Sequence, residues 1–217
     1  GIRSRFLQRH PYGLTTSPTW PVFCAGSLLD KRKGCEMIKD AADRRKLASM
    51  LHLGTVRLRT DRLDLLPIDR THAEGLFAVL KDPRLYGFTG GEPPIDASSL
   101  ARTYEFWENR ASPDGTELWF NWAVSLRVHQ LLIGYVQAGI RSDYADMAWV
   151  VGSEWQQQGY ATEAAKAVLK FLQQNGVREF RASIDPAHQA SIKIAKRLGL
   201  SKTSEFSGKE LLWKRVV

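Results

Sequence analysis

Residues 149–164, WVVGSEWQQQGYATEA, set an apolar run, a polar turn and a small-residue helix start end to end. Gly159, Ala161, Ala164 and Ala165 keep side chains short where that helix begins. The first turn of a helix has N–H groups with no acceptor inside the helix, and its dipole favours an anion there. Small residues in the preceding turn let a phosphate approach those amides closely. The chemistry open to this stretch is therefore the holding of a phosphate-bearing ligand at a strand-to-helix junction. No Gly-Lys-Ser/Thr follows, and the three glycines of a dinucleotide fingerprint are missing. Two common phosphate loops are thereby excluded.

A second segment, residues 185–200 (DPAHQASIKIAKRLGL), reads as a basic amphipathic helix. Ile192, Ala195, Leu198 and Leu200 recur at roughly helical spacing, and Gly199 is a good terminator. Lys193, Lys196 and Arg197 lie elsewhere on its surface, either solvated or turned toward the phosphates of a ligand.

The spacing Gln156-x-x-Gly159-x-Ala161, with the 185–200 segment behind it, resembles the two ordered signatures of the GNAT family of N-acetyltransferases. The likeness extends over about residues 56–217 and is nearest to the ribosomal-protein-alanine N-acetyltransferase branch. It implies an α/β (α+β) fold with a mixed, mostly antiparallel sheet of six to seven strands and about four helices. It implies acetyl-CoA as co-substrate, no metal, and transfer of an acetyl group to a primary amine by direct attack in a ternary complex. The acceptor would be a small-molecule amine or a protein N-terminus, and the protein a cytoplasmic monomer or homodimer. A catalytically inactive CoA-ester-binding module of the same fold is the alternative.

The same resemblance assigns site residues. Backbone groups of Trp149, Val150 and Val151 would pair with the pantetheine arm as an added strand does, with an N–H near Val151 as oxyanion donor. Gln156, Gln157, Gln158, Gly159, Tyr160, Ala161 and Thr162 would cradle the pyrophosphate, and His188, Ser191 and Lys196 would also touch the coenzyme. Protons are less clearly provided for. His188 stands where many relatives carry Asn, as a helix cap or cofactor contact, and Ala195 where many carry a Tyr general acid. Ser191 is the nearest hydroxyl for the leaving thiolate. Glu92, Glu105 and Glu117 are carboxylates bordering the expected acceptor pocket. Glu163 is a further candidate base, although a carboxylate in the first turn of a helix already suits the dipole.

The elements that must position these residues follow from pattern. Residues 56–67 alternate like a strand, and 68–80 has helical periodicity opening at Asp69. Asp82-Pro83 stops it, 87–94 is a turn-rich loop, and Ser98-Ser99 cap a helix to about Arg110. Residues 119–127 and 131–140 read as a hairpin rich in aromatic and β-branched residues. Residues 146–151, 177–184, 201–206 and 209–216 complete the strands.

The net charge of +8 suggests a nucleic-acid binder until it is divided. Residues 1–55 have ten Lys or Arg against four Asp or Glu, whereas residues 56–217 have twenty-one against nineteen. The charge belongs to the N-terminal part, so polyanion binding is not indicated for the rest. We expect a basic extension over 1–54, partly irregular with a helix over 36–51, and the acetyltransferase-like domain over 55–217. The extension is a native segment, a targeting segment or an appended one; composition leaves all three open. Cys24 and Cys35 both fall in it, and the five histidines have no ligand spacing, so neither thiol nor metal chemistry is indicated. No run approaches the ~20 apolar residues of a membrane span.

Overall fold

The computed structural model describes residues 41–89 and 91–217. Cys24, Cys35 and the first five residues of the expected 36–51 helix lie outside them. The described part of that helix is α1 (Ala41–Met50), which tightens into a 3-10 turn over Leu51–Thr55. Leu47, Met50 and Leu53 are buried in the main core, so α1 packs within the unit that a boundary at residue 54 would divide.

The expected first strand is two short ones, β1 (Leu58–Arg59) and β2 (Leu63–Pro67), folded back on each other. Asp69 accepts from the Thr71 N–H and opens a 3-10 turn that runs into α2 (Ala73–Leu80). The next helix, α3 (Ala97–Trp107), starts two to three residues earlier than Ser98-Ser99 would place it. Asp96 is the cap, accepting from the Ser99 N–H at 2.6 Å, and Ser99 is its partner in the capping box. A carboxylate at that position satisfies an orphan amide and complements the dipole.

The long strands follow: β3 (Leu118–Leu126), β4 (Leu131–Arg141) and β5 (Tyr144–Val151) form an antiparallel meander. Helix α4 (Tyr160–Gln174) crosses to β6 (Glu179–Ile184), and α5 (Gln189–Arg197) leads to the hairpin of β7 (Ser201–Ser207) and β8 (Glu210–Val216). Among the described residues these make one eight-stranded sheet in the order β1-β2-β3-β4-β5-β6-β8-β7, antiparallel except at β5–β6. The count exceeds the expected six to seven because the 60–62 turn splits the first strand.

Both faces of the sheet are covered, which explains why β3 is buried at every position and reads as a near-continuous apolar run. One face packs against α1, α4 and α5, the other against α2 and α3. Asn121 and Gln137 are buried in the sheet, and the Gln137 amide donates to Asn121 Oδ1 at 2.8 Å. That bond removes much of the cost of burying two amides.

Candidate active site

Strand β5 begins paired and ends unpaired. Its parallel register with β6 holds at Tyr144↔Glu179, Ala145↔Phe180 and Asp146↔Arg181 and then stops, although both strands continue. Beyond Asp146, β6 stays paired with β8 and β5 with β4, so the two halves of the sheet part. A cavity of about 690 Å³ fills the gap, lined by β5 from Met147 to Val151, the start of α4, the end of β6 and one side of α5.

The ladder decides which backbone groups face that gap. The Gly152 N–H donates to the Ile133 carbonyl, which puts the polar groups of Gly152, Val150 and Ala148 toward β4. Trp149 and Val151 alternate with them and present theirs to the gap. Of the three expected pantetheine partners, Val150 is thus committed to β4. Gly134 lets this edge approach: at φ +156° it lies so close to β5 that a Cβ would sit 2.0 Å from the Val150 oxygen.

The turn after β5 is fixed from several sides. Gln156 Nε2 donates to the Val151 carbonyl at 3.1 Å, leaving the Val151 N–H as the cleft-facing donor of that residue. Gly159 caps α4 at φ +85°, a left-handed conformation that suits glycine, and no side chain caps the helix. The amides of the first α4 turn therefore point, without helical acceptors, at the cavity that Gly159, Tyr160, Ala161 and Thr162 line. The Asp82 carboxylate accepts from Ser153 Oγ and from Arg84, tying the loop after α2 to this turn.

Several expected site residues take other places. Gln156 and Gln157 line the cavity, but the Gln158 amide turns back to the Glu154 carbonyl and its own carbonyl accepts from Arg62. Lys196 is exposed and outside the lining. Lys193 and Arg197, four residues apart on one face of α5, line it instead. Ala195 is fully buried in the core and does not line the cavity. Ser191 lines the cavity. His188 occupies the N-cap position of α5 but makes no side-chain capping bond; its ring stacks on Phe88 with centroids 4.5 Å apart. Burial lowers its pKa below the ordinary histidine value against the pull of Asp185, favouring the neutral ring.

The proposed bases fare differently again. Glu92 is exposed and outside the lining, and exposed Glu105 lies 3.9 Å from Arg70. Glu117 is buried at the far end of the sheet, 3.0 Å from Arg141. Glu163 is a tether: despite burial, bonds from Thr60 and Arg62 hold its pKa below the ordinary value, linking α4 to the β1–β2 turn. The carboxylate that does line the cavity is Glu210, the first residue of β8. It is only 5% exposed, and its Oε2 has no hydrogen-bond partner among the described residues. Burial pushes its pKa up to about 7, opposed by Lys209 and reinforced by Asp185. Sequence reasoning missed it because a glutamate opening an alternating strand has no local mark of burial.

Among the described residues no group of His, Cys, Asp or Glu is placed to hold a metal, and no helix is long and apolar enough to cross a membrane. No curated protein matches the chain in sequence. Solved structures similar in fold include a ribosomal L7/L12 alpha-N-protein acetyltransferase in complex with coenzyme A, at 14% identity and TM-score 0.62, covering 75% of this chain and 98% of that one. The ribosomal-protein-S5-alanine acetyltransferase of Vibrio fischeri aligns at 15% identity and TM-score 0.58, covering 74% and 96%. The microcin C7 self-immunity acetyltransferase, in complex with acetyl-CoA and AMP, aligns at 16% and 0.58, covering 73% and 94%. At such identities the likeness is one of fold. Residues 62–201, more than half of the chain, match the acetyltransferase (GNAT) domain family, and the chain therefore belongs to the GNAT acetyltransferase family.

Proposed function

We propose that this chain is an acetyl-CoA-dependent N-acetyltransferase acting on a primary amine. The observation that carries the reading is the cleft where β5 leaves β6, with an α-helix N-terminus at one end of it. Each part of acetyl-CoA has a counterpart there. The amides of the first α4 turn suit the pyrophosphate, with Lys193 and Arg197 as cations alongside. The free edge of β5 suits an extended amide-bearing arm that hydrogen-bonds as a strand would. The bound coenzyme supplies an activated acyl group as a thioester.

The chain's own residues supply orientation and electrostatics. Trp149 and Val151 hold the arm in register, and the Val151 N–H is a donor for charge developing on the carbonyl oxygen. The Gln156 bond to the Val151 carbonyl fixes that peptide plane, so the donor is oriented before reaction. Ser191 is the hydroxyl available to the leaving sulfur. Two of the structural relatives are named for acetylating ribosomal proteins, which supports a protein N-terminus as acceptor.

Acetyl-CoA should raise the melting temperature of the protein by binding the native state alone. Gly159→Glu, which forces a side chain into a left-handed position and a carboxylate toward the phosphates, should abolish the shift without unfolding the domain. Thiol release on adding amines then separates a transferase from a module that only binds the ester. No thermal shift with millimolar acetyl-CoA would overturn the assignment.

A further inference from the structure

Two carboxylates of the cavity, Asp185 and Glu210, lie under the influence of a single lysine, Lys209. Asp185 directly follows β6, accepts from the Ala187 N–H at 2.9 Å, and lies 3.4 Å from Lys209 Nζ. Glu210 follows Lys209 in the chain and reaches the same cavity from β8, with Oε2 buried and unpartnered. A carboxyl group held so is unfavourable for folding, because its ionised form is neither hydrated nor paired. Groups kept in that condition inside a cleft are candidates for proton transfer. In the same lining, the His188 ring beside Asp185 stacks on Phe88.

We infer that Glu210 is the general base of the reaction, and that the acceptor is a primary amine arriving as its ammonium ion into the subsite formed by Glu210 and Asp185. The inference rests on the transferase reading above. The charged and titratable groups that bear on Glu210 are Lys209 beside it, Asp185 just after β6, and, next to Asp185 at the start of α5, His188. Burial and Asp185 raise its pKa and Lys209 lowers it, leaving it near 7. That value is within about one unit of the ~8 of a free α-amine, so proton transfer between them is nearly balanced.

The step conserves atoms and charge. The Glu210 carboxylate takes one proton from the ammonium, becoming a carboxylic acid and leaving a neutral amine. The nitrogen lone pair forms a bond to the thioester carbonyl carbon, the C–S bond breaks, and its electron pair leaves on sulfur. The amine's second proton reaches the thiolate through Ser191 or water, giving free thiol and an amide. Glu210 then loses its proton to solvent. An uncharged nucleophile would forgo the carboxylates' attraction, so the subsite favours cations.

The test uses the full chain and two independent readouts. In protein labelled with ¹³C at glutamate Cδ, the resonance lost in Glu210→Gln identifies Glu210. It should titrate with a midpoint near 7 and move to lower pH when tri-alanine with a free N-terminus is added. Thiol release from acetyl-CoA is then followed with tri-alanine, n-butylamine and spermidine. Glu210→Gln should lower kcat/KM by about 10²–10⁴-fold and flatten the rise of rate between pH 6 and 8, while the thermal shift with acetyl-CoA is retained. Glu210→Asp should restore part of the rate and the rising limb, which a merely structural role would not produce. A Glu210 midpoint near the ordinary 4.5, or a Glu210→Gln enzyme within threefold of the parent with the same pH profile, would overturn the inference. So would thiol release from none of the three amines by a protein that still binds acetyl-CoA. Failure of acetyl-CoA to bind the parent chain would instead overturn the reading on which the inference stands.

Discussion

The two ends of strand β5 treat buried charge in opposite ways. At its start, where β5 and β6 are paired, three carboxylates meet three cations. Glu117 pairs with Arg141 at 3.0 Å, Glu179 with Arg181 and with Lys214, and Asp146 lies under the influence of both arginines. Arg181 also covers the Tyr144 ring at 3.6 Å. At the other end the strands have parted, and Glu210 and Asp185 share Lys209. Paired charge closes the sheet; under-paired charge lines the opening. A buried carboxylate in this chain thus reads as architecture where arginines answer it and as chemistry where one lysine is shared between two.

The comparison predicts opposite signs for two substitutions. Burial pushes Asp146 up to about 6 against the pull of Arg181 and Arg141, so above that pH it is ionised and depends on them. Arg141→Ala, which also strips Glu117, should destabilise the protein by roughly 1–3 kcal/mol at pH 8, between the values for exposed and buried pairs. The loss should shrink below pH 6 as Asp146 becomes neutral. Glu210→Gln should do the reverse. A carboxyl whose folded pKa is raised costs stability as pH rises from its ordinary 4.5 through about 7. The substitution should therefore stabilise fully above pH 7 and lose its effect below about pH 4.5. Melting temperatures across pH 4–9 check both; equal signs at pH 8 would break the contrast.

A smaller effect separates neighbouring cations of α5. Lys193→Ala and Arg197→Ala should each weaken acetyl-CoA binding about 3–10-fold, in line with loss of a partly solvated phosphate contact, and more so at low salt. Lys196→Ala should leave the affinity unchanged. Titration calorimetry at two salt concentrations distinguishes them.

The smallest effect concerns Ser191. A coenzyme thiol resembles the free cysteine thiol with its pKa of ~8.5, so an unprotonated thiolate is a tolerable leaving group. Ser191→Ala should slow turnover by no more than about tenfold, below the usual range of general acid assistance. A larger loss in kcat with unaltered acetyl-CoA binding would give Ser191 the role that Ala195 leaves empty.

What the sequence made legible was local. Gly159, the small residues after it and the polar turn before it mark a strand-to-helix junction within one short segment, and the structure places them around the first turn of α4. The same is true of the β3–β4 hairpin and the Gly199 stop. What it hid was phase and pairing. Helical period alone offers Lys193, Lys196 and Arg197 equally; only the burial of Ala195 against the core fixes which face looks into the cleft. Ser98-Ser99 is a plausible cap until Asp96 is seen to accept the amide. Glu117 looked available for catalysis because its partner, Arg141, is 24 residues away and meets it only through the β3–β4 register. Glu210 enters the site by the pairing of β8 with β6, which no local pattern encodes.

The contrast between the two ends of β5 is open to one direct observation, amide hydrogen exchange of the full chain with and without acetyl-CoA. The account predicts slowed exchange at Trp149, Val151 and residues 159–162, which line the cleft. It predicts no change over residues 144–146, already paired with β4 and β6. Unchanged exchange along the cleft edge and the first α4 turn in the presence of bound acetyl-CoA would contradict it.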